Sequence, residues 1–168
     1  MAAEMQNNKS ELVPEECRAK IDQWVAKYPP EHKRSAVMAG LRIVQEASGG
    51  HLTTDLMDAV SDYLGIPRMM AYEVATFYSM YEHSPVGKHK ICVCTNISCL
   101  LCGSEDVVEH LQKRLGIGFG ETTPDGRFTL KEVECLGACV GAPMFQIGRQ
   151  YYEKLTPEII DQILEQLD

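Results

Sequence analysis

The sequence predicts an α+β protein in which an N-terminal helical bundle is followed by a smaller α/β domain. Apolar side chains recur at helical spacing over residues 12–85, whereas short β-rich segments alternate with amphipathic helices over residues 86–168. The composition and the hydrophobic pattern change within the stretch SPVGKH, which marks the boundary between the two domains. The first residues, 1–11, are expected to form a disordered lead-in.

Four helices are predicted in the helical domain, and helix-breaking or capping residues delimit each of them. The first helix begins at Pro14 and ends at Pro29-Pro30, and the second ends at Gly49-Gly50. The third begins at a threonine cap and ends at Gly65, and the fourth follows Pro67. The fourth helix carries a row of large apolar side chains that we expect to pack in the core: Met70, Val74, Phe77 and Tyr81. This half of the sequence shows no recognisable set of catalytic residues.

The second domain has the predicted order β-α-β-β-α and is too small to bury a large core alone. Its elements are the strand KHKICVCT, the helix GSEDVVEHLQKRLGI with Ser104 as its cap, the strand DGRFTLKEVEC after an Asp125-Gly126 turn, a hairpin around Gly148 in MFQIGRQYYEK, and the helix TPEIIDQILEQLD with Thr156 as its cap.

The composition excludes several classes of protein. The chain has 16 basic and 24 acidic residues and a net charge of −8, so nucleic acid is a poor partner for its surface. No apolar run approaches the length of a membrane span, and no direct membrane insertion is expected. The N-terminus lacks the features of a secretory signal, which predicts a cytoplasmic location. The glycine-rich GIGFG at 116–120 follows a helix instead of a strand, so it predicts no nucleotide site.

Seven cysteines are distributed unevenly along the chain. Six cluster at 92–102 and 135–139, and in a reducing cytoplasm this favours a metal or redox site over a disulfide framework. Cys94 and Cys99 are separated by four residues, and Cys135 and Cys139 by three. Each pair begins at the C-terminal end of a predicted strand, so four thiolates would converge at one edge of the sheet.

Soft sulfur ligands suit either zinc or an iron–sulfur cluster. The spacings within both pairs are wide for a zinc hook but do not exclude one. A cluster accepts longer loops because its four ligands span two irons. The spacing therefore favours a [2Fe–2S] cluster, and zinc remains the open alternative.

Cys102 raises two further readings. The run Cys94-x₄-Cys99-x₂-Cys102 matches the plant-type ferredoxin spacing, although it leaves one cysteine of the second pair unused. Cys99-Leu-Leu-Cys102 also matches a dithiol oxidoreductase motif, but that reading gives the other clustered cysteines no role. Cys102 is better interpreted as a buried or half-exposed thiol, and core positions are expected for Cys17 and Cys92.

Three segments together resemble one known family: IPRMMAYEVATFYSMY, PVGKHKICVCTNISC and DGRFTLKEVECLGACVGAPMFQI. They are similar to the thioredoxin-like [2Fe–2S] subunit of NADH:quinone oxidoreductase, respiratory complex I, which in bacteria is called the E subunit. The resemblance extends from about residue 12 to the C-terminus. It implies a thioredoxin-like second domain, a cis bond before Pro143, and four cluster ligands: Cys94, Cys99, Cys135 and Cys139. Cys92 and Cys102 do not occupy ligand positions in the family pattern.

The resemblance also implies a function. NADH would reduce FMN on a neighbouring flavin subunit, and the [2Fe–2S] cluster of this chain would exchange single electrons with that flavin. The implied partners are this flavin- and NADH-binding subunit and a neighbouring iron–sulfur subunit, peripheral on the cytoplasmic side of the inner membrane. The chain would then have no catalytic residue and no substrate site of its own.

Other assemblies and another class of protein remain open from the sequence. Related subunits occur in NAD-linked hydrogenases and in NAD-dependent formate dehydrogenases. From a different class, a zinc-stabilised interaction module would use the same cysteines without electron transfer.

Overall fold

The computed structural model describes residues 8–167, and the chain divides into two compact units, Met1–Pro85 and Val86–Asp168. The α-helices are α1 (Glu15–Val25), α2 (Val37–Ala47), α3 (Thr54–Leu64), α4 (Arg68–Phe77), α5 (Ile97–Leu101), α6 (Ser104–Leu115) and α7 (Pro157–Gln166). The strands are β1 (His89–Cys94), β2 (Phe128–Val133), β3 (Phe145–Ile147) and β4 (Gln150–Tyr152). Short 3₁₀ segments cover Ser10–Leu12, Pro30–Ala36 and Cys139–Gly141.

The first unit is a bundle of α1 to α4 around one apolar core. The predicted ends of α3 are confirmed: Thr53 Oγ1 accepts a hydrogen bond from Leu56 N–H at 3.3 Å, and Gly65 adopts a left-handed conformation after the last turn. A β-carbon at Gly40 would lie 3.1 Å from Val60 Cγ1, so the absence of a side chain there lets α2 approach α3 closely. Close approach of the backbones requires small residues at the helix contacts.

The expectation for the apolar face of α4 is confirmed for Val74, which is partly buried against the core, and wrong for Phe77. The helix buries Ala71 and Ala75, while the Phe77 side chain remains 79% exposed at its C-terminal end. Tyr81 is buried, but it lies beyond the helix and donates its Oη hydrogen to the Met38 carbonyl at 2.8 Å. The two alanines face the bundle because they allow close packing. Tyr72 and Val74 pack partly buried against the same core, whereas Phe77 is left outside. Other exposed apolar side chains of this segment are Met69, Tyr78 and Met80.

The N-terminal residues from 8 onward are not a disordered lead-in as the sequence suggested. Residues 1–7 lie outside the residues that the structure describes. Lys9, by contrast, is held against α3: its Nζ lies 2.8 Å from Asp55 and 2.7 Å from Asp58. Its backbone N–H donates to Asp62 at 2.8 Å. The chain is therefore ordered at least from this residue, because charge-assisted hydrogen bonds fix it on the helix.

The second unit is a mixed four-stranded sheet in the order β2-β1-β3-β4. β1 pairs with β2 in parallel, whereas β3 is antiparallel to both β1 and β4. The predicted elements follow in the predicted order, but α5 is added before α6 and the hairpin consists of two strands, β3 and β4. The hairpin around Gly148 is confirmed, and Gly148 has φ of +60°. The predicted cap of α7 is also confirmed, because Thr156 Oγ1 accepts a hydrogen bond from Ile159 N–H at 3.4 Å. The helices α6 and α7 contact each other and contribute Leu111 and Ile160 to the core.

The start of α6 was predicted incorrectly. Ser104 lies inside the helix and is buried, and Gly103 occupies the capping position with φ of +91°. Glycine adopts this left-handed conformation without a steric penalty. The one-glycine turn follows directly after α5, a short helix that the sequence did not predict. Within residues 8–167, none of the helices combines the length and apolar character that a bilayer crossing requires.

We expect the substitution Leu64→Ala to lower the free energy of unfolding of the first unit by about 2–5 kcal/mol, because Leu64 is fully buried and its removal leaves a cavity. Phe77→Ala should change it by less than about 0.5 kcal/mol, because Phe77 is largely exposed. Trp24 is the only tryptophan of the chain and packs against this core, so its fluorescence during urea unfolding reports on this unit.

Phe77→Ala is the matched control for the burial of α4. A larger loss of stability for Phe77→Ala than for Leu64→Ala would mean that α4 packs with the opposite face. Far-UV circular dichroism of both variants would check that the helical content is unchanged.

Candidate iron–sulfur site

The two cysteine-containing loops leave the same edge of the sheet. β1 ends at Cys94, which lies beside Val133, the last residue of β2, in the parallel register. Thr95 N–H donates to the Val133 carbonyl at 3.2 Å, which continues the pairing by one residue. The Cys94 thiol lies 3.9 Å from the Glu134 carbonyl, at the start of the second loop. The predicted convergence of the two loops is therefore present in the fold.

Cys94 and Cys99 are brought together in a small buried cluster with Met144. Cys99 is placed there by α5, the single-turn helix that follows the first loop. Burial raises the pKa of the Cys99 thiol to about 11, and the hydrogen bond and negative charge of Cys94 act in the same direction. The backbone N–H of Met144 has the opposite effect, because it donates to the Cys99 sulfur.

Cys135 and Cys139 lie in the second loop and are exposed. Gly137 N–H donates to Cys135 Sγ at 3.3 Å. Gly137 has φ of +73°, a conformation that glycine adopts easily and that other residues disfavour. Cys139 begins a 3₁₀ turn and is close enough to Cys99 for its charge to raise the pKa of that thiol. Cys139 therefore lies close enough to Cys99 for their charges to interact. Cys135 instead accepts a hydrogen bond from the backbone of its own loop.

The donor set fits an iron–sulfur cluster. Four thiols lie on two adjacent loops, and backbone N–H groups donate to the sulfurs of Cys99 and Cys135. Within the described part of the chain, no three His, Cys, Asp or Glu side chains lie close enough together to hold one metal ion. A zinc site needs four ligands around one point, whereas a [2Fe–2S] cluster distributes its ligands over two irons. Two pairs of thiols on neighbouring segments fit the two irons of a [2Fe–2S] cluster, with two ligands for each iron.

The remaining cysteines are separate from this arrangement. Cys17 is buried in the core of the first unit, as the helical pattern predicted. Cys92 is half-buried on β1, opposite Lys131 of β2. Cys102 is exposed at the end of α5, where its N–H donates to the Cys99 carbonyl at 3.1 Å. Its thiol is thus more exposed than expected.

Sequence reasoning missed two contributors to the site. Met144 packs on the buried cysteines and supplies an N–H donor, and its only signal was its position after Pro143. The Ala142–Pro143 bond is cis, as the resemblance implied. The second contributor is α5, whose five residues are too few for a helical period to be recognised.

Exposed apolar side chains flank the cysteines. Leu101 is 82% exposed on α5 and Val140 is 98% exposed beside Cys139. Ile97 and Leu100 add to the apolar surface of α5. Such exposed apolar groups near a functional site are typical of a surface that contacts another protein.

Comparison with known proteins gives a consistent result. The model of the thioredoxin-like [2Fe–2S] ferredoxin family matches residues 21–168. The NADH-quinone oxidoreductase E subunit of Rickettsia bellii (strain RML369-C) is 48% identical over 143 residues, which cover 85% of this chain and 86% of the relative. An NADH-quinone oxidoreductase E subunit of Rhizobium meliloti (strain 1021) is 45% identical over 148 residues, 88% of this chain and 86% of the relative.

Among solved structures, an NAD⁺-reducing [NiFe]-hydrogenase in the air-oxidized state has a similar fold. The TM-score is 0.64 at 21% sequence identity, and the match covers 76% of this chain. This chain spans only 22% of the matched hydrogenase chain. At this level of identity the likeness concerns the fold alone.

We expect the Cys99 thiol of cluster-free, reduced protein to react with iodoacetamide much more slowly than the exposed Cys102 at pH 8. Cys99 is buried and its pKa is raised to about 11, so little thiolate is present at that pH. The rate at Cys99 should increase about tenfold per pH unit between pH 8 and 10, because the thiolate fraction does so below the pKa. Peptide mass spectrometry measures both rates, and equal rates at Cys99 and Cys102 would contradict the burial of Cys99.

Proposed function

Because the chain belongs to the thioredoxin-like [2Fe–2S] ferredoxin family, and its relatives include E subunits of NADH-quinone oxidoreductases, we propose that it is the electron-transfer subunit of an NADH:quinone oxidoreductase. It holds one [2Fe–2S] cluster through Cys94, Cys99, Cys135 and Cys139. The observation that carries the proposal is the register of β1 and β2, which brings both cysteine loops to one edge of the sheet.

The residues of this chain bind the cluster and adjust its electrostatic environment. A bound [2Fe–2S] cluster would supply one-electron chemistry. The N–H groups of Gly137 and Met144 donate to thiol sulfurs, and such bonds stabilise negative charge on sulfur and raise a reduction potential. Glu134, next to Cys135, adds negative charge and has the opposite effect. The balance of the two effects sets the potential.

The two pairs of cysteines have different surroundings. Cys94 and Cys99 lie in the apolar cluster, which keeps water from that side of the site. Cys135 and Cys139 lie on the outer side, beside the fully exposed Val140. The outer side therefore faces the electron-exchange partner. We assign that role to a neighbouring subunit that binds FMN and NADH, and a further iron–sulfur subunit lies in the same assembly.

The chain itself has no substrate site in this proposal. Its location follows from the complex: it is held on the cytoplasmic side of the inner membrane by the other subunits. The zinc-stabilised module remains the alternative from another class and would use the same four cysteines.

Anaerobically purified protein should contain about two iron and two acid-labile sulfide per chain. Replacing Cys94, Cys99, Cys135 or Cys139 by alanine should abolish this content and the visible spectrum, because each removes one ligand. Cys102→Ala is the matched control and should leave both nearly unchanged, because Cys102 is exposed at the end of α5.

Two results would contradict the ligand assignment. If Cys102→Ala lost the cluster and Cys139→Ala kept it, the plant-type run of cysteines would be the correct ligand set. One zinc per chain without sulfide would establish the structural module, in which case chelators should unfold a colourless protein.

We expect the affinity-tagged chain, isolated from its native membranes, to carry with it a subunit that binds FMN and NADH. In the isolated complex NADH should reduce the iron–sulfur spectrum, because electrons enter through the flavin. Mass spectrometry of the isolated material identifies the subunits. Hydrogenase or formate dehydrogenase subunits in place of quinone-reductase subunits would assign the chain to one of those assemblies.

A further inference from the structure

An apolar groove of about 290 Å³ lies in the second unit beside the first cysteine loop. Leu100 of α5, Val108 of α6 and Phe119 of the following loop supply its apolar lining, which we call its floor, and Ser104 and Gln112 also line it. Three exposed carboxylates form its rim: Glu105, Glu109 and Glu132. A concave apolar floor with a rim of a single charge sign is the form of a recognition surface, because the floor supplies buried area and the rim supplies selectivity.

The three rim carboxylates are not neutralised by any basic side chain of the residues that the structure describes. Over residues 8–167, none of them forms an ion pair with a lysine, arginine or histidine. Glu105 and Glu109 are one helical turn apart on α6, where like charges repel. Thr95 Oγ1 donates to Glu132 Oε1 at 2.8 Å and fixes the third carboxylate at the groove. Glu105 is favourable for α6 because it lies in the first helical turn. The negative charge of the three carboxylates nevertheless remains without a basic counter-charge among the described residues, so it is available to a partner.

The chemistry of the groove selects a basic occupant. A lysine or arginine stem can lie along Leu100, Val108 and Phe119 while its charge reaches the carboxylates. An arginine can in addition stack on the Phe119 ring and donate two parallel hydrogen bonds to one carboxylate. An acidic or phosphorylated segment would be repelled by the same rim.

The position of the groove selects which partner supplies this segment. Thr95 and Leu100 line the groove, and each directly follows a proposed ligand, Cys94 and Cys99 respectively. A protein that contacts the first cysteine loop therefore also reaches the groove, which Thr95 and Leu100 line. Ile97 and Leu101 extend the apolar surface from the loops along α5.

We propose that this groove docks a lysine- or arginine-bearing segment of the flavin-binding subunit and so orients that subunit over the cysteine loops. The inference rests on the proposed function, because it takes the flavin subunit as the electron-exchange partner. The groove contributes the charge-selective part of the interface, and the apolar side chains of α5 contribute the part that excludes water.

The experiment compares the cluster-loaded full-length chain with the variant E105Q/E109Q/E132Q for binding to the purified flavin subunit. Isothermal titration at 50 and 300 mM KCl gives affinity and its salt dependence. The variant should bind at least tenfold more weakly at low salt, and its affinity should depend less on salt, because the attraction between opposite charges is screened. Glutamine has nearly the same shape as glutamate, so the fold is preserved.

The matched control is E31Q/E158Q/E165Q, which removes the same charge at exposed positions outside the groove. It should bind like the wild type. Equal affinity and salt dependence for the groove variant and the control would overturn the docking proposal while leaving the proposed function intact. Failure of the wild-type chain to bind the flavin subunit would overturn the proposed function itself.

A second measurement does not depend on the folding of any variant. Carbodiimide treatment of the wild-type complex should join Glu105, Glu109 or Glu132 to lysines of the flavin subunit. Mass spectrometry of the cross-linked peptides locates both ends. Cross-links from these glutamates to a second copy of this chain, or to a different iron–sulfur subunit, would overturn the assignment of the occupant.

Discussion

The parallel pairing of β1 with β2 is the constraint on which the rest of the candidate site depends. Parallel strands end at the same edge of a sheet, so the residues after Cys94 and after Val133 must leave the sheet together. The hydrogen bond from Thr95 to Val133 carries this pairing one residue into the first loop. Antiparallel β3 then returns beside β1 and brings Met144 against the buried cysteines. Three chain segments distant in sequence thus meet at one place.

Backbone groups have as large a part in this site as side chains. The Gly137 N–H reaches Cys135 from a left-handed conformation, and the Met144 N–H, on the residue before β3, donates to Cys99. Amide donors of this kind stabilise charge on sulfur without adding a charge of their own. In a protein with a net charge of −8, such donors favour the thiolate form of Cys135 and Cys99.

The surface near the cysteines has two kinds of side chain with different roles in contacting a partner. Exposed apolar side chains on α5 and beside Cys139 supply area for a protein contact, and the glutamates of α6 and β2 give that contact a preferred sign of charge. The first unit has exposed apolar groups as well, at the end of α4. There Ala71 and Ala75 face the core of the bundle, and Phe77 lies exposed at the end of the helix.

The sequence by itself determined the order of the elements other than α5, the end of α3 at Gly65, the cap at Thr156 and the cysteine pairs at the ends of β1 and β2. These features follow from local geometry, in which a residue's own conformation or its spacing carries the information. Tertiary structure alone decided which face of α4 is buried, that Gly103 and not Ser104 precedes α6, and that Met144 packs on Cys99. Those outcomes depend on how closely neighbouring backbones approach, and no periodicity within a single element encodes that distance.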